Sequence, residues 1–242
     1  MGEIKCQECH LVAHSEDLNG DVNYESGSKQ IWAQGYGDSL PGQESYKTRP
    51  TIALKSNLNE ENPFDFGCDA GTTLSTLSNQ FNVIGVEPNN GARDAAKKLG
   101  HKIFESAETA LASIIQLDIV TLFHVIQHSY EASLELIGIR ALLTPDEINV
   151  MEIPNSMDAL LSKYQFEDFS NFTYWAHHRM LHSDKSLMRL LEGSGFKVIE
   201  NSGAQNYNLN NLLYWLSNGR LGGHIAWKNF TLLKPLMLKN NS

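Results

Sequence analysis

Cysteine is scarce in this sequence, and its count excludes a protein built on disulfide bonds. Only 3 of the 242 residues are Cys, whereas small secreted domains that rely on disulfides carry many, usually in even number. The odd count, in a chain whose first residues lack the apolar run of a signal peptide, indicates a reducing compartment. We therefore expect a cytoplasmic protein.

Positive charge and long apolar runs are also lacking. The chain has 19 Lys and Arg against 28 Asp and Glu, which gives a net charge of −9. Because an acidic chain repels phosphate backbones, we expect no nucleic-acid partner. No stretch of roughly 18 apolar residues occurs, so we also expect no membrane span. The remaining composition, 41% hydrophobic and 19% charged, is that of a globular protein that can bury a core.

The first part of the chain has little regular pattern. Asn, Ser, Gly, Asp and Gln dominate it, so we predict an irregular segment over residues 1–45, followed by one domain over residues 46–242. Cys6 and Cys9 resemble the last knuckle of a zinc ribbon, but a structural zinc site needs four well-spaced ligands. We interpret this segment as a metal-free remnant and predict no metal site.

Strands alternate with helix-length segments from residue 63 onward. This alternation predicts parallel βαβ units in an open α/β sheet with helices on both faces. Such a sheet binds ligands at the carboxyl ends of its strands. The predicted strands are Pro63–Gly67 with its turn, Val83–Glu87, Lys102–Phe104, Asp118–Val125, Ile148–Ile153 and Phe196–Ile199.

Acidic residues flank the turn after the first of these strands. Asp65 and Asp69 alternate with Gly67 and Gly71, and Glu87 ends the next strand, 22 residues after Asp65. A carboxylate at that position can accept both hydroxyls of a ribose. Two carboxylates at the turn would repel a pyrophosphate. The pattern therefore favours a nucleoside cofactor that carries cationic groups instead of phosphates, namely S-adenosylmethionine.

At this turn the sequence resembles the class I S-adenosylmethionine-dependent methyltransferases. Residues 65–71 are similar to their first motif, Asp-Ile-Gly-Cys-Gly-x-Gly, and residues 118–128 to the strand that often ends Phe-His-Val-Leu-Glu-His. Glu152-Ile153-Pro154-Asn155 matches the Glu-Val-Pro-Asn of a bacterial subgroup that modifies small molecules or sugars. The resemblance covers roughly residues 63–200. It departs from the family pattern at Asp69, at Gln127 and at Asp146-Glu147.

The resemblance implies a fold and a cofactor site. The fold is a Rossmann-like, mostly parallel seven-stranded sheet. The residues themselves predict an aromatic-rich lid insertion at about residues 156–182 and a helical tail at about 205–242. Glu87 would hold the ribose, residues 106–108 would border the adenine, and Phe123 and His124 would flank the methionyl chain. The predicted cofactor-binding residues are Asp65, Gly67, Asp69, Gly71, Glu87, Pro88, Ser106, Ala107, Glu108, Phe123 and His124.

Three histidines are the candidate catalytic residues. Methyl transfer to a hydroxyl needs positioning and a base, and His is the usual base near neutral pH. His124 and His128 follow the strand where cofactor and acceptor would meet, and His178 lies in the lid insertion. We predict in-line methyl transfer to a small-molecule or sugar-type acceptor, with the choice among the three histidines left open.

The departures from the family pattern support an alternative. A catalytically degenerate methyltransferase fold would bind the cofactor or act as a scaffold subunit without turnover. A nicotinamide-dependent oxidoreductase is disfavoured, because Gly-x-Gly-x-x-Gly is incomplete and Asp69 would face the phosphates. We expect the helix predicted over 209–216 to expose aromatic residues, which favours a homodimer.

Overall fold

The computed structural model of the protein describes residues 3–14, 63–79, 81–112, 117–174, 178–203 and 209–220. Its strands are β1 Glu3–Lys5, β2 Val12–His14, β3 Pro63–Phe66, β4 Ile84–Val86, β5 Lys102–Phe104, β6 Leu117–Phe123, β7 Leu143–Glu152 and β8 Met180–Leu181. Its helices are α1 Thr72–Leu77, α2 Asn90–Lys98, α3 Ala107–Leu111, α4 Ala132–Leu142, α5 Ala159–Ser162, α6 Glu167–Thr173, α7 Asp184–Gly193 and α8 Leu209–Asn218, and a 3-10 turn, Ile126–His128, follows β6.

The main sheet is parallel, as the alternation of strands and helices predicted. Its five strands within the described ranges run in the order β5-β4-β3-β6-β7, and every neighbouring pair is parallel. The chain moves outward from β3 through β4 to β5 and then returns to the other side of β3 with β6. The strand order therefore reverses between β3 and β6, and an open α/β sheet binds its ligands at such a reversal.

The two faces of the sheet follow the two-residue alternation of its strands. Ile84 and Val86 of β4 point to one face and join a buried cluster with Leu122 of β6 and Leu136 of α4. Gly85 points to the other face, where α1 and α2 cover a second buried cluster. Both faces are thus apolar, which accounts for the continuous hydrophobic runs in these strands.

A small second sheet corrects the prediction of an irregular N-terminal segment. Residues 3–14 form a β-hairpin, whose second strand also pairs antiparallel with β8 through Val12 and Leu181. The hairpin turn is closed by backbone hydrogen bonds from Cys6 to Leu11 (2.9 Å) and from His10 to Cys6 (2.9 Å). Strands of three residues are too short to show a periodic pattern in the sequence. Their partner β8 is also far away in the chain, so this pairing could not be predicted. Residues 15–62 are outside the described ranges.

The predicted strand Phe196–Ile199 is a further correction. Phe196 packs against the core, but Ile199 is 82% exposed and no strand pairs with this segment among the described residues. Gly195, at φ 85°, ends the turn after α7, so the chain reaches the core at Phe196 without joining the sheet. The seven strands implied by the family resemblance are therefore five parallel strands in the part that is described.

The segments predicted as lid and tail contain regular structure. Helices α5 and α6 and strand β8 lie within residues 156–182, of which 175–177 are outside the described ranges. The helix predicted over 209–216 is α8, but its Trp215 is only 3% exposed and packs on Phe169 and Phe172. The argument for a homodimer from an exposed aromatic helix is therefore wrong. None of the described helices is long and apolar enough to cross a membrane.

Candidate functional site

The turn between β3 and α1 is held by backbone hydrogen bonds to its neighbours. The amides of Gly67 and Cys68 both donate to the carbonyl of Val86 in β4, at 2.9 and 3.0 Å. Asp69 adopts a left-handed conformation, with φ 48°, which Asp tolerates better than most residues. The departure from the family motif at this position therefore leaves the turn intact.

Glu87 links this turn to the end of β4. Its Oε2 accepts the backbone N–H of Asp69 at 2.9 Å, and its Oε1 accepts that of Asn89 at 2.8 Å. Glu87 is 8% exposed. Burial is the largest influence on this carboxyl and raises its pKa, against the two backbone hydrogen bonds, which lower it. The carboxylate is thus oriented by the backbone, and each oxygen has a second lone pair for a ligand.

The glycines of the turn are required by both conformation and space. Gly67 and Gly71 have φ of 73° and 83°, a region that favours glycine. A Cβ on Gly67 would lie 2.7 Å from a methyl of Val125, and one on Gly71 would lie 3.0 Å from the Cβ of Ala96. The sequence prediction explained both glycines by access for a ligand. In the structure the space beside each is filled by the protein itself.

Asp65 lies beneath this turn. It is buried, and its Oδ1 accepts the hydroxyl hydrogen of Thr121 in β6 at 2.6 Å. The bond joins the two strands between which the strand order reverses. Asp65 therefore places a carboxyl group below the crevice, and Thr121 fixes its orientation.

The remaining predicted cofactor residues lie at the same edge of the sheet. The amide of Glu87 donates to the carbonyl of Phe104 at 3.0 Å, so the end of β5 lies beside the end of β4. Ser106 follows and forms the N-cap of α3, with Ala107 and Glu108 in its first turn. Arg93 of α2 donates to the carbonyls of Glu87 and Pro88 at 2.6 and 2.9 Å, which holds the loop after β4.

His124 forms a pair with Glu152 where β6 and β7 end. Its Nε2 lies 2.9 Å from Glu152 Oε1, and its backbone amide donates to the carbonyl of Glu152 at 2.8 Å. Both side chains are partly exposed. His124 has φ 58°, an unusual conformation for a non-glycine residue that is often found at functional sites. A carboxylate that accepts one ring N–H fixes the tautomer and leaves the other ring nitrogen as a base.

His128 and His178 form a separate pair. Their ring centroids are 5.0 Å apart. His178 Nδ1 lies 2.7 Å from the carbonyl oxygen of Thr173, and His128 Nε2 lies 3.2 Å from the side-chain nitrogen of Gln127. Two of the three predicted catalytic histidines, His128 and His178, thus lie together, and the third, His124, pairs with the carboxylate of Glu152.

Glu152 is a candidate site residue that the sequence analysis did not identify as one. It appeared only as part of the Glu-x-Pro-Asn motif. The signal that points to it is the parallel pairing of β6 and β7, which sets Phe123 opposite Glu152 and so brings the next residue, His124, beside the same carboxylate. Register across strands is not visible in a single sequence.

Comparison with known families assigns the class. The sequence model of the family described as "Methyltransferase domain" matches residues 43–201, and the chain belongs to this family. The enzyme class predicted from the sequence, a methyl-transferring enzyme, is therefore confirmed. No curated protein sequence matches the chain.

Solved structures with the same fold include several methyltransferases. A SAM-dependent methyltransferase from Archaeoglobus fulgidus is 22% identical, with 64% of this chain and 69% of that chain covered and a TM-score of 0.52. Magnesium protoporphyrin IX methyltransferase from Synechocystis PCC 6803, with bound SAH, is 16% identical over 75% and 91%, with a TM-score of 0.56. The plantazolicin methyltransferase BpumL in complex with SAH is 16% identical over 69% of each chain, with a TM-score of 0.54. These likenesses confirm the Rossmann-like α/β methyltransferase fold.

Proposed function

We propose that this protein transfers the methyl group of S-adenosylmethionine to a hydroxyl of a small-molecule or sugar-type acceptor, with His124 as the base. The pair of His124 and Glu152 at the carboxyl ends of β6 and β7 carries the proposal. It lies at the ligand-binding edge of a methyltransferase sheet and has the geometry of a carboxylate-oriented base.

The residues at the ends of β3 and β4 fit S-adenosylmethionine. Asp65, Asp69 and Glu87 make this crevice acidic, which suits a ligand with an ammonium and a sulfonium and opposes a pyrophosphate. The Glu87 carboxylate is already fixed by two backbone amides, and its remaining lone pairs can accept the two ribose hydroxyls. Two of the three structural neighbours named above contain SAH, which agrees with this cofactor.

The cofactor supplies an activated methyl group on sulfonium, and its transfer is an in-line displacement at carbon. The chain supplies the base. His124 Nε2–H donates to Glu152 Oε1, so Nδ1 carries the lone pair that takes the proton of the acceptor hydroxyl. The Glu152 carboxylate stabilises the imidazolium that forms and holds the ring in one orientation.

A labelled-methyl assay tests this function. S-adenosylmethionine labelled on its methyl group is incubated with the protein and a panel of phenols, sugars and amines, and labelled products are separated. We expect label on a hydroxyl acceptor. We expect His124→Ala to lower kcat by about 100-fold or more, because general bases typically contribute that much, while S-adenosylmethionine still binds saturably.

The control is Glu192→Ala. Glu192 is an exposed carboxylate on α7 and is not one of the predicted cofactor or catalytic residues, so this variant should retain the activity. Full activity in His124→Ala would show that the base is another residue. Tight cofactor binding without transfer to any acceptor in the panel would favour the scaffold alternative.

A further inference from the structure

A cavity of about 490 Å³ lies outside the crevice described above. We call it the β8 cavity, because Met180 and His182, at β8, form one wall. Leu11 of the hairpin turn, Tyr130 and Leu134 near the start of α4, and Leu190 of α7 line the rest. None of the predicted cofactor or catalytic residues lines it.

The N-terminal hairpin closes one side of this cavity through polar contacts to the domain. The hydroxyls of Ser183 and Ser156 donate to the carbonyls of Cys9 and His10, at 2.5 and 2.9 Å. Lys185 Nζ donates to the carbonyl of Glu8 at 3.0 Å. The wall is therefore anchored at several points, and the cavity is a built feature of the fold.

Two side chains that line the cavity have buried polar atoms without partners. His182 is 4% exposed, and neither of its ring nitrogens has a hydrogen-bond partner among the described residues. The hydroxyl of Tyr130 is likewise buried and unpartnered within the same part of the chain, while the guanidinium of Arg179 covers its ring at 3.4 Å from the centroid. Buried polar atoms in folded proteins are almost always hydrogen-bonded, so both side chains lack a partner that an occupant of the cavity can supply.

The charges around the cavity indicate what this occupant is. Burial lowers the pKa of His182 to about 4, so the ring is neutral at neutral pH and offers one donor and one acceptor. Arg189, a charged lining residue, is paired with Glu8, and Glu131 is exposed at the edge. The walls are otherwise mainly apolar. A hydroxyl group both donates and accepts, and it is the simplest neutral group that can satisfy a neutral imidazole and a phenol together.

We propose that the β8 cavity is a binding site for an uncharged small molecule that has an apolar body and a hydroxyl group, an alcohol or a phenol. Rotation of the His182 and Tyr130 side chains brings their polar atoms to the cavity, where the hydroxyl bonds to them, and the apolar body packs against Leu11, Leu134 and Leu190. The site is separate from the crevice that holds the methyl donor, so its occupation does not depend on the proposed methyl transfer.

Phenol and toluene form a matched pair of probes for this site, because they differ only by a hydroxyl in place of a methyl. The full chain, labelled with nitrogen-15 in its histidines, is titrated with each compound while the ring resonances of His182 are followed by NMR. We expect phenol to shift the His182 resonances and to bind at least tenfold more tightly than toluene, since toluene leaves two buried polar groups unpaired.

The variant His182→Phe sharpens the test. It keeps a ring in place and removes the hydrogen-bonding atoms, so the preference for phenol should fall to about twofold or less, whereas His101→Gln should keep the full preference. Equal affinity for phenol and toluene in the unmodified protein overturns the proposal. So does the absence of binding by either probe up to its solubility. If His182→Phe fails to fold, the comparison of the two probes on the unmodified protein still decides.

Discussion

The crevice at the ends of β3 and β4 differs from the β8 cavity in whether its buried polar groups have hydrogen-bond partners. In the crevice, the carboxylate of Glu87 accepts two backbone amides and that of Asp65 accepts a hydroxyl. In the β8 cavity, His182 and Tyr130 are buried without hydrogen-bond partners in the described part of the chain. The crevice is thus oriented before any ligand binds, whereas the cavity is complete only with an occupant.

The two regions also differ in how far apart their residues are in the sequence. The crevice is formed by two short segments that follow successive strands, so its residues are close together in the sequence. The cavity joins a hairpin at residues 3–14, the start of α4 and the segment 180–190. Three predictions concern the two regions in turn, two of them the crevice and one the β8 cavity.

The largest expected effect on stability comes from filling the space beneath the crevice. A Cβ on Gly85 would lie 2.6 Å from Cys68 Sγ and within 3.0 Å of Leu74 and Ile103. Overpacking typically costs 1–3 kcal/mol, and three close contacts together put Gly85→Ala at about 3 kcal/mol of lost unfolding free energy, measured by urea denaturation.

Gly138→Ala is the control for this substitution. Gly138 is in α4, and its Cβ would meet nothing within 4 Å, so the same change should stabilise the protein by roughly 0.5–1 kcal/mol. If Gly85→Ala were as stable as the unmodified protein, the tight packing between the turn and β4 would be contradicted.

The next effect belongs to the β8 cavity and depends on pH. Burial lowers the pKa of His182 to about 4 in the folded protein, against about 6.5 in the unfolded chain. Between these values the unfolded chain binds a proton that the folded protein does not, so stability falls as pH drops through this window. From about pH 7 to about pH 5, His182 should account for roughly 2 kcal/mol of lost stability.

His182→Phe should remove this share of the acid sensitivity, because Phe does not titrate. It should also be at least as stable as the unmodified protein near pH 7, since two unpaired polar atoms are removed. Denaturation curves at the two pH values measure both effects. An unchanged dependence on pH in the variant would show that His182 is protonated equally in both states.

The smallest effect concerns the departure from the family motif in the crevice. Asp69 has φ 48° and an exposed side chain, and glycine adopts this conformation without strain. Asp69→Gly should therefore raise the unfolding free energy by about 0.5 kcal/mol, and Asp69→Ala should lower it by about 1 kcal/mol. Thermal unfolding midpoints rank the stabilities of the two variants and the unmodified protein. If Asp69→Ala were more stable than Asp69→Gly, the left-handed conformation at this position would be contradicted.

The sequence predicted features that depend on local patterns, and it did not predict contacts between segments that are far apart in the chain. The strands β3 to β6 were predicted to within a few residues, because apolar runs are local, whereas β7 begins at Leu143, five residues before the predicted strand Ile148–Ile153. The pairing of His124 with Glu152 and that of the hairpin with β8 were not predicted, because both depend on register between distant segments. The buried position of Trp215 was missed for the same reason, since α6 supplies the surface that covers it.

The placement of Asp65, Glu87 and residues 106–108 at one edge of the sheet agrees with the sequence prediction. Their contacts to a cofactor remain a prediction. The roles of Gly67 and Gly71 were predicted from ligand access, whereas the structure explains both by packing against Val125 and Ala96. A glycine motif indicates that a side chain is excluded, but only the structure shows which atoms exclude it.

Calorimetric titration of the full chain with S-adenosylmethionine tests the central claim most directly. The account predicts saturable binding, weakened at least tenfold in Glu87→Ala because charge-assisted bonds to the ribose are lost, and unchanged in Glu192→Ala, an exposed carboxylate on α7. No heat at millimolar S-adenosylmethionine, or equal affinity in Glu87→Ala, would contradict it.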